Sequence, residues 1–409
     1  MNDPWFQSLF AERIGGVNYG KSNKIYKFEK IKRAKRAALA AHPERHLLDF
    51  GIGENDDMAD PLVRDTLKVE VDKLENRGYA DNGIAALKEA AAGFMKKVFG
   101  VALDPATEIN HAIGSKPALA MMPAAFINPG DVTLMTVPGY PVAGTHTAYY
   151  GGEVYNLPLR SENGFYPDLA SIPADVRRRA KLLVINYPNS PTGATATRDF
   201  YRRILDFART NQIVVVQDAA HIMLSYDGPP LSFLQVDGAK EVGVEIHSLS
   251  KGFNMIGWRM AFVAGHAKIV QAFADVKDNC DSGQFMAIQQ AARTALEHPH
   301  IADAVREKYR RRLQKLVAAL RQVGFQATMP NGTYFLYVAA PKACAGRTFA
   351  NAEEASQFLI AEQSVCCVPW DEAGAYLRFS VTYLAQSEAE EDALMKETVE
   401  RLGRLQLQF

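Results

Sequence analysis

Residues 245–265 read EIHSLSKGFNMIGWRMAFVAG. An apolar run, VGVEIHSL (242–249), leads straight to Lys251, which stands beside Ser248, Ser250 and Gly252. Arg259 follows eight residues later, and a second apolar run, MAFVAG (260–265), comes behind it. Desolvating an ammonium is costly. A lysine at the end of such a run is tolerable when its amine is neutral or covalently occupied. Short apolar runs rich in β-branched residues are what a parallel sheet buried on both faces presents. Three more precede this pair: DVTLMTV (131–137), KLLVINY (181–187) and IVVVQD (213–218).

Between the strands lie helical patterns. TRDFYRRILDFARTN (197–211) starts at a Thr197 cap and sets Phe200, Ile204, Leu205 and Phe207 on one face. SKPALAMMPAAFINPG (115–130) reads as a helix that Pro129–Gly130 ends. This alternation predicts an α/β doubly wound core, a mostly parallel central sheet flanked by helices. From about residue 296 the texture changes to a long charged helix closing at Gly324, short strands at 333–340 and 375–382, and a last helix with an acidic start. The expected division is an N-terminal segment (1–49) joining a small domain, a large domain (50–295) and a small C-terminal α+β domain (296–409).

Composition narrows the class. The 409 residues are 48% hydrophobic and 22% charged with no net charge, so nothing marks a nucleic-acid binder. The start shows no signal-peptide pattern. The longest apolar stretch, ALAMMPAAFI (118–127), is too short to span a membrane and contains Pro123. The four cysteines, Cys280, Cys344, Cys366 and Cys367, lack metal-ligand spacing and read as buried free thiols of a reducing, cytoplasmic compartment. The basic stretch KIYKFEKIKRAKR (24–36) reads as a solvated helix face.

Ligands collect outside the carboxyl ends of strands in open α/β sheets, and there a partly desolvated lysine suits a Schiff base with a carbonyl cofactor. Asp218 ends the strand IVVVQD, where it is a turn former or the carboxylate that keeps a pyridine nitrogen protonated. Arg259 can fork onto a phosphate, with Ser248 and Ser250 as short donors. Ser115 and Lys116 stand at a helix start, which favours anions, and Tyr140 in PGYP offers a plane for stacking. Each signal alone is an ordinary cap or turn; their order on successive strand ends is specific.

Those residues carry a resemblance. Through SLSKGFNMIGWR, NYPNSPTG, VVVQDAAH, GSKPALAMMPAAF, PGYP and YADNGIAALKEA, the chain resembles fold-type-I pyridoxal-phosphate enzymes of the class I/II aminotransferase family over nearly its whole length. NKIYKFEKIKRAK, LLDFGIGEND and the Ser115–Lys116 pair are most similar to the branch that transaminates L,L-diaminopimelate with 2-oxoglutarate, giving tetrahydrodipicolinate and glutamate in lysine and cell-wall biosynthesis. The resemblance implies pyridoxal 5′-phosphate on Lys251 as a Schiff base, Asp218 at its pyridinium and Tyr140 on its ring. It also implies Ser115, Lys116, Ser248, Ser250 and Arg259 at the phosphate, joined by Tyr79 reaching across a homodimer with shared sites. Arg378 would take the substrate α-carboxylate, with Tyr26, Gly53 and Lys116 lining the substrate pocket; no metal is implied. Three departures stand out. Ser190, preceded by Asn189, replaces the family's asparagine at the cofactor's 3′-oxygen, and either can serve. His221 replaces a tyrosine there, which adds a titration near pH 6.5. Gln284 is the nearest amide to the substrate-binding asparagine supplied by the partner subunit. Aspartate, alanine or aromatic donors, C–S β-elimination and a cofactor-binding regulatory domain are the alternatives; the last lacks a DNA-binding module here.

Overall fold

A computed structural model describes residues 4–21 and 27–409. Tyr26 lies outside the described residues. The five apolar runs are strands, accompanied by two more. In chain order these are β1 (Ile109–Ala112), β2 (Val132–Val137), β3 (Glu153–Pro158), β4 (Ala180–Asn186), β5 (Val214–Asp218), β6 (Gly243–Ser248) and β7 (Ala261–Gly265). They form one seven-stranded sheet in the order β1-β7-β6-β5-β4-β2-β3. Only β7 runs antiparallel to its neighbours; the rest are parallel. Carboxyl ends of β4, β5 and β6 therefore emerge side by side, with Asn186 opposite Asp218 and Asp218 opposite Ile246.

Apolar side chains cover both faces of this sheet. Leu183, Ile185, Val215 and Phe262 pack toward one helical layer, and Leu182, Val184, Val216 and Ile246 toward the other. Helix Arg198–Asn211 begins as expected, with the Thr197 side chain accepting from the Phe200 amide. Phe200, Ile204 and Leu205 are buried with Tyr201 and Ala208, whereas Phe207 is only partly covered. Helix Ser115–Phe126 runs through Pro123, as expected, and ends at Phe126, just ahead of Pro129–Gly130. The ring sits on the buried side, and the missing N–H removes one internal bond without stopping the helix.

A second core gathers residues of the C-terminal part around β8 (Phe335–Ala339), β9 (Val368–Trp370) and β10 (Tyr376–Ser380). These form an antiparallel sheet in the order β9-β10-β8, covered by the helices Ile301–Gln322, Ala352–Gln363 and Glu388–Gly403. The N-terminal segment joins this side: Leu48–Asp49 pairs in parallel with Val365–Cys366. Helix Lys27–Ala41 is not simply solvated, because Ile31 and Ala38 are buried. Its basic residues reach Glu353, Asp49 and Glu372 from Lys30, Lys35 and Lys27. Three of the four cysteines are buried and free; Cys280, expected to be buried, is exposed at a helix end. No described helix is long and apolar enough to cross a membrane.

Candidate active site

Asp218 ends β5 almost wholly buried, and its carboxylate accepts the Ala220 amide at 3.0 Å. Burial pushes its pKa from 3.8 up to about 6, although the Ala220 N–H and the nearby charges of Lys251 and His247 pull the other way. Among the described residues it has no ion-pair partner. Its charged form therefore lacks a direct ion-pair partner among the described residues, which disfavours that form in a buried place. Asn186, at the adjacent end of β4, donates to the Asp218 carbonyl at 2.8 Å and accepts the Ser190 amide at 2.9 Å. It pins the Ser190 loop to the strand ends. The sequence reading passed over Asn186, though its place beside NSPTG was a signal.

Lys251 follows β6 in the helical turn Leu249–Gly252. Its amine donates to the Gly53 carbonyl at 3.1 Å. Burial pushes its pKa down to about 8, assisted by the positive charges of Arg259 and Arg378 and opposed by Glu54 and Asp218. Near neutrality this amine loses its proton far more readily than a free lysine, whose pKa is about 10.4. That is the state a base or nucleophile needs.

Beside it is an anion cradle. Gly114 precedes the Ser115–Phe126 helix with φ 87°, and a Cβ there would collide with the Arg259 guanidinium. Glycine is required so that Arg259 can lie against the helix start. Arg259 itself adopts φ 57° and anchors one nitrogen on the Ile256 carbonyl at 2.7 Å. Ser248 accepts the Ser250 amide at 3.2 Å, leaving its hydroxyl proton to donate. Ser250 is buried nearby, Ser115 is half-buried, and Lys116 points to solvent. Tyr140 is partly exposed before the helix Val142–Tyr149. Tyr79 is 82% exposed and does not join the cluster within one chain.

Arg378 enters from the other core. β10 is the middle strand of its sheet, and Arg378 is buried. Its guanidinium stacks 4.1 Å from the centre of the Phe335 ring and donates to the Gly51 carbonyl at 3.3 Å. Nε has no partner, and burial pushes the pKa down to about 10. His221 is also buried, with Nδ1 unpartnered. The titration expected for it near pH 6.5 is overturned: burial, then the charges of Lys251 and Arg378, drive its pKa well below 6.5. Asn189 accepts the amide and hydroxyl of Thr192 at 3.1 and 2.8 Å, which leaves Nδ2 unpartnered. Gln284 is fully used inside the chain, donating to the carbonyls of Trp258 and Arg259 and facing His111.

The sequence pattern of the family described as aminotransferase class I and II matches residues 45–399. The chain belongs to that family and is a pyridoxal-phosphate-dependent aminotransferase. It is similar to the LL-diaminopimelate aminotransferase of Methanocaldococcus jannaschii, at 56% identity covering 100% of both chains. The enzyme of the same name from Methanococcus maripaludis is 53% identical, again over 100% of both. A substrate-bound structure of BacF from Bacillus subtilis superimposes with a TM-score of 0.87 at 31% identity, covering 98% of each chain. The residues present fit pyridoxal phosphate. A buried carboxylate without a cation, a depressed lysine, an anion cradle that a Cβ would fill, and two orphaned nitrogens on Asn189 and His221 converge on one cleft.

Proposed function

We propose that this chain transaminates L,L-2,6-diaminopimelate with 2-oxoglutarate, yielding tetrahydrodipicolinate and glutamate. The observation that carries the reading is the identity to LL-diaminopimelate aminotransferases over the full chain, supported by a buried arginine with no carboxylate partner among the described residues and an unpartnered Nε, near a lysine of depressed pKa. Bound pyridoxal phosphate supplies an electron sink that makes the substrate's Cα–H acidic. Lys251 would hold the cofactor covalently, and its free amine would move the proton at the substrate's Cα. Asp218 would keep the ring nitrogen protonated, and Tyr140 would cover the ring. Ser115, Lys116, Ser248, Ser250 and Arg259 would hold the phosphate. Asn189, Ser190 or His221 would serve the ring's 3′-oxygen, His221 as a neutral N–H donor. Arg378 would receive the α-carboxylate bidentately, with Gly53 lining the pocket, and Lys116 would double at the distal carboxylate.

We read residues 50–295 as the cofactor-binding domain, and 296–409 with 1–49 as the smaller one. The working assembly is a homodimer with shared sites, in the cytoplasm. Support for the dimer comes from Tyr79, and from Met58, Leu62, Val69 and Leu74, which are exposed apolar residues flanking the same segment. Mixing Lys251→Ala with Tyr79→Ala chains should restore part of the activity that each lacks. The function itself is tested by the visible absorption of the bound cofactor. L,L-Diaminopimelate and glutamate should each discharge it, whereas aspartate and phenylalanine should not. Discharge by aspartate or phenylalanine alone would overturn the substrate.

A further inference from the structure

Thr333 is a β-branched residue held at φ 67°, in the left-handed region such side chains avoid. Its surroundings over-determine that conformation. The Thr333 amide donates to the Leu224 carbonyl at 2.9 Å, its carbonyl accepts the Tyr226 hydroxyl at 2.6 Å, and its hydroxyl accepts the Phe335 amide at 3.0 Å. A Cβ on the preceding Gly332 would press on Pro188. Backbone strain maintained in this way concentrates at functional positions, and what this turn delivers to the cleft is Tyr334.

Tyr334 is fully buried. Its hydroxyl donates to the Gly53 carbonyl at 2.9 Å, the same oxygen that accepts the Lys251 amine at 3.1 Å. The amine also lies 5.4 Å from the centre of the Tyr334 ring. The ring packs edge-on against His221 and Tyr309, at 5.3 and 5.2 Å between centres. Tyr309 in turn donates to Asp56 at 3.0 Å, and Arg312 holds Asp56 at 2.9 Å. The segment 53–56 is thus gripped at both ends by tyrosines from the second core.

We propose that Tyr334 is a positioning residue for Lys251: its hydroxyl fixes the Gly53 carbonyl, and its ring face, with that carbonyl, makes the resting place of the amine whenever it is free of the cofactor. The proposal rests on the reading of Lys251 as the catalytic amine. Both attractors favour the ammonium. They work with Asp218 from β5 and Glu54 from the loop, against burial and the cations Arg259 and Arg378; His221 stays neutral. The amine is kept in one place without being locked in either protonation state.

The test uses the full chain freed of cofactor. Competitive acetylation of Lys251, read by peptide mass spectrometry across the alkaline range, gives its titration midpoint. Tyr334→Leu, which removes ring and hydroxyl, should lower that midpoint by about half a unit or more. Tyr334→Phe should lower it less, while amide hydrogen exchange across residues 53–55 speeds up in both variants. A lowered melting temperature with midpoint and exchange unchanged would make Tyr334 ordinary core packing and overturn the proposal; if only the Phe variant folds, its exchange rates decide in the same way. Borohydride reduction of wild-type protein with pyridoxal phosphate should tag Lys251. A tag on another lysine would overturn the reading of Lys251 itself, independently of Tyr334.

Discussion

Arg312 and Arg378 are both buried and both carried by the second core, yet they live in opposite surroundings. Arg312 donates to Glu391 at 2.7 Å and Asp56 at 2.9 Å, and to the carbonyls of Val381, Tyr383 and Ala385. Lys308 also pairs with Asp56, and Arg311 and Lys315 with Glu391, so both carboxylates are fully engaged. Arg378 has a stacked ring, one carbonyl at 3.3 Å and an unpartnered Nε, and no carboxylate among the described residues. The same contrast separates Asp56, which is paired, from Asp218, which is not. A saturated charge network joins segments of chain; charges left open in a buried cleft mark where outside charges are received.

The contrast can be broken by mutation. Lys251→Ala, on the open side, should lower turnover by about 10⁴-fold or more while leaving the melting temperature of the cofactor-free protein unchanged or raised. Unfolding of this variant would assign the lysine to the scaffold. Arg312→Met, on the saturated side, should cost about 3 kcal/mol of stability in urea denaturation with little change in KM at temperatures where the variant is folded.

Asp218→Asn should act on rate and stability in opposite directions. Burial holds the folded-state pKa of Asp218 near 6, above its 3.8 reference. The fold therefore binds this proton more tightly than the unfolded chain does. The group's stabilising contribution is fully present below about pH 4 and is lost as pH rises through about 6. Without cofactor, the variant should match wild type near pH 4 and exceed it at pH 8, by on the order of 3 kcal/mol at most, while its transamination rate falls. Equal pH dependence of the two melting temperatures would show that a partner neutralises Asp218 within the chain. Arg378→Lys should reduce kcat/KM by about 100-fold, because an ammonium cannot fork onto a carboxylate; steady-state kinetics decides. The smallest effect belongs to His221. Its ring should remain neutral at pH 6.5, where a free imidazole is half protonated, by nitrogen NMR, so the pH–rate profile should contain no step from it there.

The sequence by itself determined the strands, their helices and the residues at their carboxyl ends. Apolar runs of five to seven residues can only be buried on both faces, and chemistry-bearing side chains must then leave at the ends. Lys251, Asp218, Ser248 and Arg259 were legible for that reason: each lies within a few residues of a strand end. Arg378 and Gly53 needed the resemblance, since nothing local in YLRFSV distinguishes a buried central strand from an edge. The tertiary structure alone decided what depends on distant neighbours. It drove His221 below its ordinary titration, exposed Cys280 and joined Asp56 to Arg312 across 256 positions. It also set Tyr334 against Lys251 through the Gly53 carbonyl, a meeting of three segments with no sequence signature. Burial and electrostatic surroundings are sums over everything packed nearby, and a linear pattern carries only the part contributed by near neighbours in the chain.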